Sequence, residues 1–243
     1  MLQFAGKHPL VQTQRILVID DDVTILHLVR DKLDKAGFEV LTARSGDEAM
    51  AIISNKGLPH LAIVDIKMPG MDGLGFCKTV QQFSDLPVVM LTSVDEENTV
   101  IEVIESFAED YITKPFSPRE LVARVRRVLR RIGDFGYALE ANTKIDDRFA
   151  VNFGQQEVIL SNKVVSLTPT ETKILYILMR NAGRIVTTNF LLSRTWPLDE
   201  IGEDVLRVHV YRIRRKIEVN PSKPRYIVTE RGVGYSFTKK HKQ

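Results

Sequence analysis

Several short apolar runs end in polar residues whose types, taken together, could do chemistry. Asp20, Asp21 and Asp22 follow ILVI (16–19), and Asp65 follows LAIV (61–64). Thr92 and Ser93 follow PVVML (87–91), and Lys114 with Pro115 follows YIT (111–113). Singly, each has a plain reading: an aspartate at a strand end caps a helix, Thr92 caps the next one, and Lys114 is a surface residue before proline. Brought together, two or three carboxylates repel unless protonated or bridged by a cation. All-oxygen ligation with few protein groups suits Mg²⁺, which shares its shell with water and phosphate oxygens. A carboxylate nucleophile, a divalent cation, a hydroxyl and a lysine make a phosphoryl-transfer site, where the protein positions an oxygen in line and neutralises charge.

These groups meet only if the fold brings the strand ends together. The runs at 16–19, 38–42, 61–64, 87–91 and 111–113 are β-branched and uninterrupted, as strands buried on both faces are. Between them lie stretches of helical spacing at 23–36, 46–55, 73–83, 95–107 and 118–131. Five such repeats predict an α/β domain with a doubly wound, five-stranded parallel sheet, whose ligands bind beyond the carboxyl ends of the strands. Ser45-x-x-Glu48 and Ser117-Pro-x-Glu120 have the form of capping boxes. The last helix sets Leu121, Val125, Val128 and Ile132 on one face. Its arginines form either a solvated face or a partner surface. Cys77, within an apolar helix face, reads as core.

The chain has 243 residues, enough for two domains. No apolar run approaches the roughly 20 residues of a membrane span, and the first ten residues lack a signal-peptide layout, so a cytoplasmic location is expected. One cysteine excludes an internal disulfide framework and a cysteine-based zinc site. The five histidines show no metal-ligand spacing. Charge is lopsided: residues 1–133 hold 16 Lys+Arg against 19 Asp+Glu, and residues 134–243 hold 18 against 12. A basic second half suits a polyanionic partner or simply a soluble domain.

After a linker at 133–144, residues 145–239 read as a second domain. Its alternating stretch 149–167 predicts a small antiparallel sheet. Thr168-Pro-Thr-Glu171 opens a helix (168–181) that Gly183 terminates; helices at 188–195 and 204–219 and a hairpin follow. In the last helix Leu206, Val210, Ile213 and Ile217 form one stripe. The opposite face carries Asp204, Val208, Tyr211, Arg212 and Arg215, flanked by Arg207 and Arg214 on one side and Lys216 on the other. Arginine binds guanine bidentately and aliphatic groups touch the thymine methyl, so this face suits a DNA major groove. Arg231, at the hairpin tip, suits a minor groove.

RILVIDDD, LAIVDIKMPGMDG, VVMLTS and DYITKPF, in this order, resemble the receiver domain of two-component response regulators over residues 14–132. LTPTETKILYILMRNAGRIVTTNFLL, VHVYRIRRKIE and PRYIVTERGVGYSF resemble the winged helix-turn-helix (α+β) DNA-binding domain of the OmpR/PhoB family. The resemblance implies that Asp65 is the phosphoacceptor. Asp20, Asp21 and Asp65 would hold Mg²⁺ with the backbone carbonyl of Lys67, Thr92 and Lys114 would contact the phosphoryl oxygens, and Tyr111 would be the aromatic switch. It further implies a sensor histidine kinase as phosphoryl donor, a homodimer formed on phosphorylation, promoter direct repeats as the DNA target, a recognition helix at 204–218 and a wing at 225–237. The loop that Trp196 begins is one that some members use to touch RNA polymerase; the ring itself reads as core.

The chain departs from that pattern on the expected dimer face, built from the fifth strand and the helical stretches 95–107 and 118–131. Asp110, Glu120, Arg124 and Arg131 are present. Val100 replaces the usual basic partner of Glu120, Ser106 the acidic partner of Arg124, and Phe107 a glycine, so Asp110 with Arg131 is the surviving pair. Pairing is therefore expected to lean on Val100, Ile101, Ile104 and Phe107. Arg207 stands where an acidic residue is common. A phosphatase using an Asp nucleophile would carry a second acid two residues on, where this chain has Lys67. No turnover of external substrates is expected. A regulator that binds DNA without phosphate is the other alternative, and the complete acidic, hydroxyl and lysine set argues against it.

Overall fold

The structure, a computed structural model, describes residues 13–93, 108–132, 140–197 and 201–238. The first unit runs β1 (Arg15–Ile19), α1 (Val23–Lys35), β2 (Glu39–Ala43), α2 (Gly46–Lys56), β3 (Leu61–Asp65), α3 (Gly73–Gln81), β4 (Val88–Ser93), β5 (Asp110–Lys114) and α4 (Pro118–Ile132), counting only described elements. Its five strands are all parallel, in the order β2-β1-β3-β4-β5. Leu61 to Val64 are fully buried, as strands covered on both faces must be. One layer of the core lies between the sheet and the α1/α4 side, where Val29, Leu33, Leu121, Val125 and Val128 pack on Ile16, Val18 and Ile63. The order reverses between β1 and β3, so the strand ends on either side of that point open a crevice. The helical stretch 95–107, the start of the linker and the tail beyond residue 238 lie outside the described residues.

Local signals explain the helix starts. Asp22 caps α1, Asp72 caps α3 and Ser45 caps α2, each accepting a backbone N–H two or three residues ahead. The Ser45 box is only half made: Glu48 turns to the Arg44 N–H instead. Glu120 likewise takes Arg124.

The second unit begins with a four-stranded antiparallel sheet, β6 (Thr143–Lys144), β7 (Phe149–Asn152), β8 (Glu157–Leu160) and β9 (Lys163–Ser166). The sequence reading put Thr143 and Lys144 in the linker; they pair with Val151 and Ala150 of β7. Two residues are too few to show a period. Then come α5 (Pro169–Arg180), β10 (Ile185–Thr187), α6 (Thr188–Thr195), α7 (Glu203–Ile217), β11 (Ile227–Glu230) and β12 (Gly234–Phe237). The Thr168/Glu171 capping box is complete in both directions. Strands β11 and β12 form the hairpin, with β10 on the free side of β12. Three helices and this small sheet are the winged helix-turn-helix arrangement expected. Among the described residues, no helix is long and apolar enough to cross a membrane.

Candidate functional site

At the carboxyl edge of the parallel sheet, Asp20 is fully buried at the end of β1 and Asp65 is nearly so at the end of β3. The Lys114 ammonium, at the end of β5, donates to Asp20 Oδ2 at 2.8 Å and reaches Asp65 Oδ1 at 3.0 Å. Carboxylate oxygens of Asp20, Asp21 and Asp65 lie within 4.8 Å of one another. Burial raises the Asp65 carboxyl above the ordinary carboxylate range, while Lys114 opposes the shift. Burial works against the Lys114 ammonium too, but hydrogen bonds to Asp20 and Asp65 outweigh it and its pKa rises. The donor set is all oxygen and its negative charge exceeds what one lysine cancels, so the cluster suits a hard divalent cation. Asp22 is not part of it: its carboxylate caps α1 at Thr24 N, 2.7 Å away.

Thr92 is buried on β4, one residue beyond the register partner of Asp65. Tyr111 on β5 points outward, 44% exposed. Ser93 ends β4. Lys67 lies in the loop after β3, which runs through Met68-Pro-Gly-Met-Asp-Gly73. The loop is held at both ends: Gly73 N–H donates to Ile66 O, and Gly46 N–H donates to Met71 O. A Cβ on Gly73 would stand 2.1 Å from the Asp65 carbonyl oxygen, so only glycine lets α3 start this close to the acidic pocket. Asp47 also accepts from Met71 N. Gly73 closes the Met68–Gly73 loop that the sequence marks as a tight turn, whereas the Asp47 contact depends on which loop meets α2 and leaves no local sign.

On the expected dimer face, Asp110 is buried and takes Arg124 at 3.1 Å and Arg127 at 2.6 Å within the chain. Arg124 also pairs with Glu120. Within the chain Asp110 is held by Arg124 and Arg127, while the side chain of Arg131, its expected partner across the dimer, lies outside the described residues. Val100, Ile101, Ile104, Ser106 and Phe107 lie outside them too. Cys77 is buried, its thiol pushed up to about 12 by burial, which suits a core residue.

The second site is helix α7 with its hairpin. Leu206, Val210, Ile213 and Ile217 are buried, as the stripe required. Val208 and Tyr211 stand 46% and 56% exposed on the opposite face, with Arg212 and Arg215 beside them. The flanking cations pair with groups of the chain itself, Arg207 at the surface and Arg214 and Lys216 partly buried. Arg214 donates to Ile227 O at 2.9 and 2.7 Å and to Thr229 Oγ1 at 2.8 Å, tying helix to hairpin. Lys216 bonds Glu171 at 2.7 Å, and Arg207 pairs with Glu203 and Asp204. Glu218, just past the helix, accepts from the N–H groups of Arg225, Tyr226 and Ile227 at 2.8, 2.8 and 3.0 Å. Arg231 is exposed in a tight turn closed by Val233 N–H to Glu230 O, with Gly232 at φ +72°. Trp196 is partly buried against the core, its ring 5.5 Å from that of His209.

Comparison with known proteins fits both sites. Residues 16–126 match the response regulator receiver domain, and residues 162–237 match the C-terminal domain of transcriptional regulatory proteins. The probable transcriptional regulator ycf27 of Porphyridium aerugineum is 35% identical over 237 residues, covering 93% of this chain and 97% of its own. The alkaline phosphatase synthesis transcriptional regulatory protein PhoP of Bacillus subtilis is 37% identical over 232 residues, 92% and 96% of the two chains. A crystal structure of the OmpR/PhoB homolog DrrB of Thermotoga maritima is 33% identical, covers 93% of this chain and 99% of that one, and superposes with a TM-score of 0.44. Two domains in the expected order, and relatives colinear over nearly their whole length, make this chain a member of the OmpR/PhoB family of response regulators, a transcriptional regulator controlled by phosphorylation.

Proposed function

We propose that Asp65 is the phosphoacceptor of a cytoplasmic two-component pathway, and that its loading drives pairing of the protein on promoter direct repeats. The observation that carries this is the Lys114 ammonium between the buried Asp20 and Asp65 carboxylates, at 2.8 and 3.0 Å. A cation already held beside the acceptor is within reach of an incoming anion and needs only to exchange one contact. An Asp65 oxygen attacks phosphorus, the bond from phosphorus to the imidazole nitrogen of the kinase's phosphohistidine breaks, and the imidazole leaves. Lys114 then transfers one of its contacts to a phosphoryl oxygen, and the Thr92 hydroxyl donates to another. Asp20, Asp21, Asp65 and the Lys67 carbonyl would hold Mg²⁺, which would neutralise phosphoryl charge. As Thr92 moves inward, the outward Tyr111 ring fills the space behind it.

The receiver spans 14–132 and the DNA-binding domain 145–239, with β6 extending the latter back to Thr143. The loaded receiver dimerises through β5 and the flanking helical stretches. Asp110, Glu120, Arg124 and Arg131 sit at that rim, where exposed charges set register more than affinity. Val208, Tyr211, Arg212 and Arg215 read the major groove, and Arg231 enters the minor groove. The Trp196 loop faces RNA polymerase. With Lys67 in place of a second acid, the protein takes up one phosphoryl group and does not turn over external esters.

Labelling with acetyl phosphate and Mg²⁺ tests the acceptor. Wild type should take one phosphoryl group per chain and Asp65→Asn none. Stoichiometric labelling of that variant would refute the assignment, and multiple-turnover hydrolysis of phosphate esters would overturn the non-enzymatic reading.

A further inference from the structure

The turn between β6 and β7 reaches across the second unit to the roots of both DNA-facing elements. Asp146 Oδ1 accepts the N–H groups of Arg148 and Phe149, each at 2.9 Å, which closes the turn on itself. The other Asp146 oxygen accepts the Tyr226 hydroxyl at 2.9 Å and lies 3.5 Å from Arg225 Nη2. Arg148 Nη1 donates to Ile217 O at 2.8 Å and stands 3.5 Å from the Tyr226 hydroxyl. Ile217 is the last residue of α7, and Tyr226 immediately precedes β11. Neither Asp146 nor Arg148 is among the residues assigned to DNA contact.

The chemistry suits this grip. The last carbonyls of a helix have no partner within it, and a cation there also complements the helix dipole. Glu218 leaves α7 in extended conformation, so the Ile217 carbonyl takes its donor from Arg148, 69 residues away in sequence. Tyr226 is buried, and a buried phenol finds a hydrogen-bond partner, which Asp146 supplies. The Phe149 and Tyr226 rings pack with centroids 4.8 Å apart, so the turn holds Tyr226 by both its apolar body and its polar end.

The place of the grip sets it apart from the other ties between helix and hairpin. Arg214 and Glu218 hold the hairpin through backbone groups of residues 225–227 and through Thr229, points strung along one strand. Bonds along a line do not fix rotation about it. Apolar packing of Ile227 and Phe237 on the core is non-directional and restrains that rotation only loosely. The Tyr226 hydroxyl, at the far end of its ring, stands off the strand, and there Asp146 and Arg148 act. Rolling the hairpin about β11 would swing the Arg231 side chain around the strand axis and change its direction relative to α7.

We infer that Asp146 and Arg148 are positioning residues for sequence reading: through Tyr226 and Ile217 they set the span between the base contacts of α7 and the minor-groove entry of Arg231. The inference rests on the DNA-contact reading above and adds to it the means by which spacing is measured. Two contacts held at a fixed span bind as a chelate, the second at high effective concentration, and that gain is lost on DNA where the span is wrong. Discrimination of this kind requires no further contact to a base.

The test uses the full chain and single-site duplexes, selected in vitro with wild type, that carry a major-groove half-site and the flanking A·T tract read by the wing. Affinity is measured at the native spacing and with one base pair inserted or removed between the two, each with and without Arg231→Ala. In wild type a one-base-pair change should weaken binding about tenfold, and Arg231→Ala should remove most of that penalty. Arg148→Met and Tyr226→Phe should each shrink the penalty about threefold, and the cost of Arg231→Ala at native spacing with it. Tyr226→Phe keeps the ring and covers the case in which Arg148→Met fails to fold, as followed by the fluorescence of the sole tryptophan, Trp196. Lys144→Ala, which removes the exposed Lys144–Asp147 pair of the same turn, should leave the penalty unchanged. A merely structural role would lower the unfolding midpoint of both variants while the folded protein kept its full spacing penalty, and that result overturns the inference. Equal weakening at every spacing overturns it too, as does the same effect from Lys144→Ala. Wild type separates the failures. If it discriminates spacing through Arg231 and the variants do so equally, only the positioning role falls; if Arg231→Ala costs wild type nothing, the minor-groove reading falls and the inference with it.

Discussion

Glu218→Ala should loosen the hairpin from the helix it serves. The Glu218 carboxylate is buried and accepts three successive N–H groups, from Arg225, Tyr226 and Ile227. Truncation leaves the Tyr226 and Ile227 donors buried without an acceptor, and at about 1–3 kcal/mol for each such group the loss is about 2–6 kcal/mol. Water reaches the Arg225 end, so the lower half of that range is expected. A domain of this size has about 5–15 kcal/mol in all, so the change is large. Trp196 is the sole tryptophan and packs beside His209 of α7, so its fluorescence during urea unfolding follows this domain. Glu218→Gln keeps one acceptor oxygen and should recover part of the loss. A variant within about 0.5 kcal/mol of wild type, the range of ordinary surface changes, would refute the reasoning.

Arg212→Ala should weaken binding to the selected operator by about 1–3 kcal/mol while leaving unfolding unchanged; an equal loss on all sequences would mark Arg212 as a phosphate contact. Arg214→Ala should do the reverse, lowering the unfolding midpoint, because its guanidinium holds Ile227 O and Thr229. His60 accepts the Arg15 N–H, and burial with Arg15 beside it lowers its pKa to about 4 from 6.5. An unfolded chain therefore binds a proton between those values that the folded one does not, so stability is fully present above pH 6.5 and declines as pH falls toward 4. By linkage the contribution is at most about 3 kcal/mol. Urea titrations from pH 7 to 4.5 should show His60→Asn with a shallower decline than wild type; parallel curves would exclude the effect.

The parallel sheet and its pocket were legible because burial on both faces writes uninterrupted apolar runs, and a doubly wound sheet must gather the residues at its strand ends. Asp20, Asp65 and Lys114 meet as that rule requires. The buried stripe of α7 followed from its period alone. What stayed hidden depends on elements distant in sequence. Helical geometry sets Arg214 at the edge of the face opposite the buried stripe, and only the position of Ile227 and Thr229 shows that it holds the hairpin. Asp110 has a binding partner, but the choice of Arg124 and Arg127 depends on how α4 lies on β5. Asp85 carries no local signal, since its partners, Arg180 and Arg194, arrive from another unit, 95 and 109 residues away.

Counting basic residues therefore overstates this helix's grip on a polyanion. Five cations lie on α7, yet Arg207, Arg214 and Lys216 already answer to carboxylates or carbonyls of the chain itself. Arg212 and Arg215 are left to displace counterions, each worth roughly 0.9 in the slope of log affinity against log salt. The helix should thus hold its register on DNA across a wider span of ionic strength than its composition suggests, with discrimination between sequences resting on the Val208 and Tyr211 surface between those two arginines.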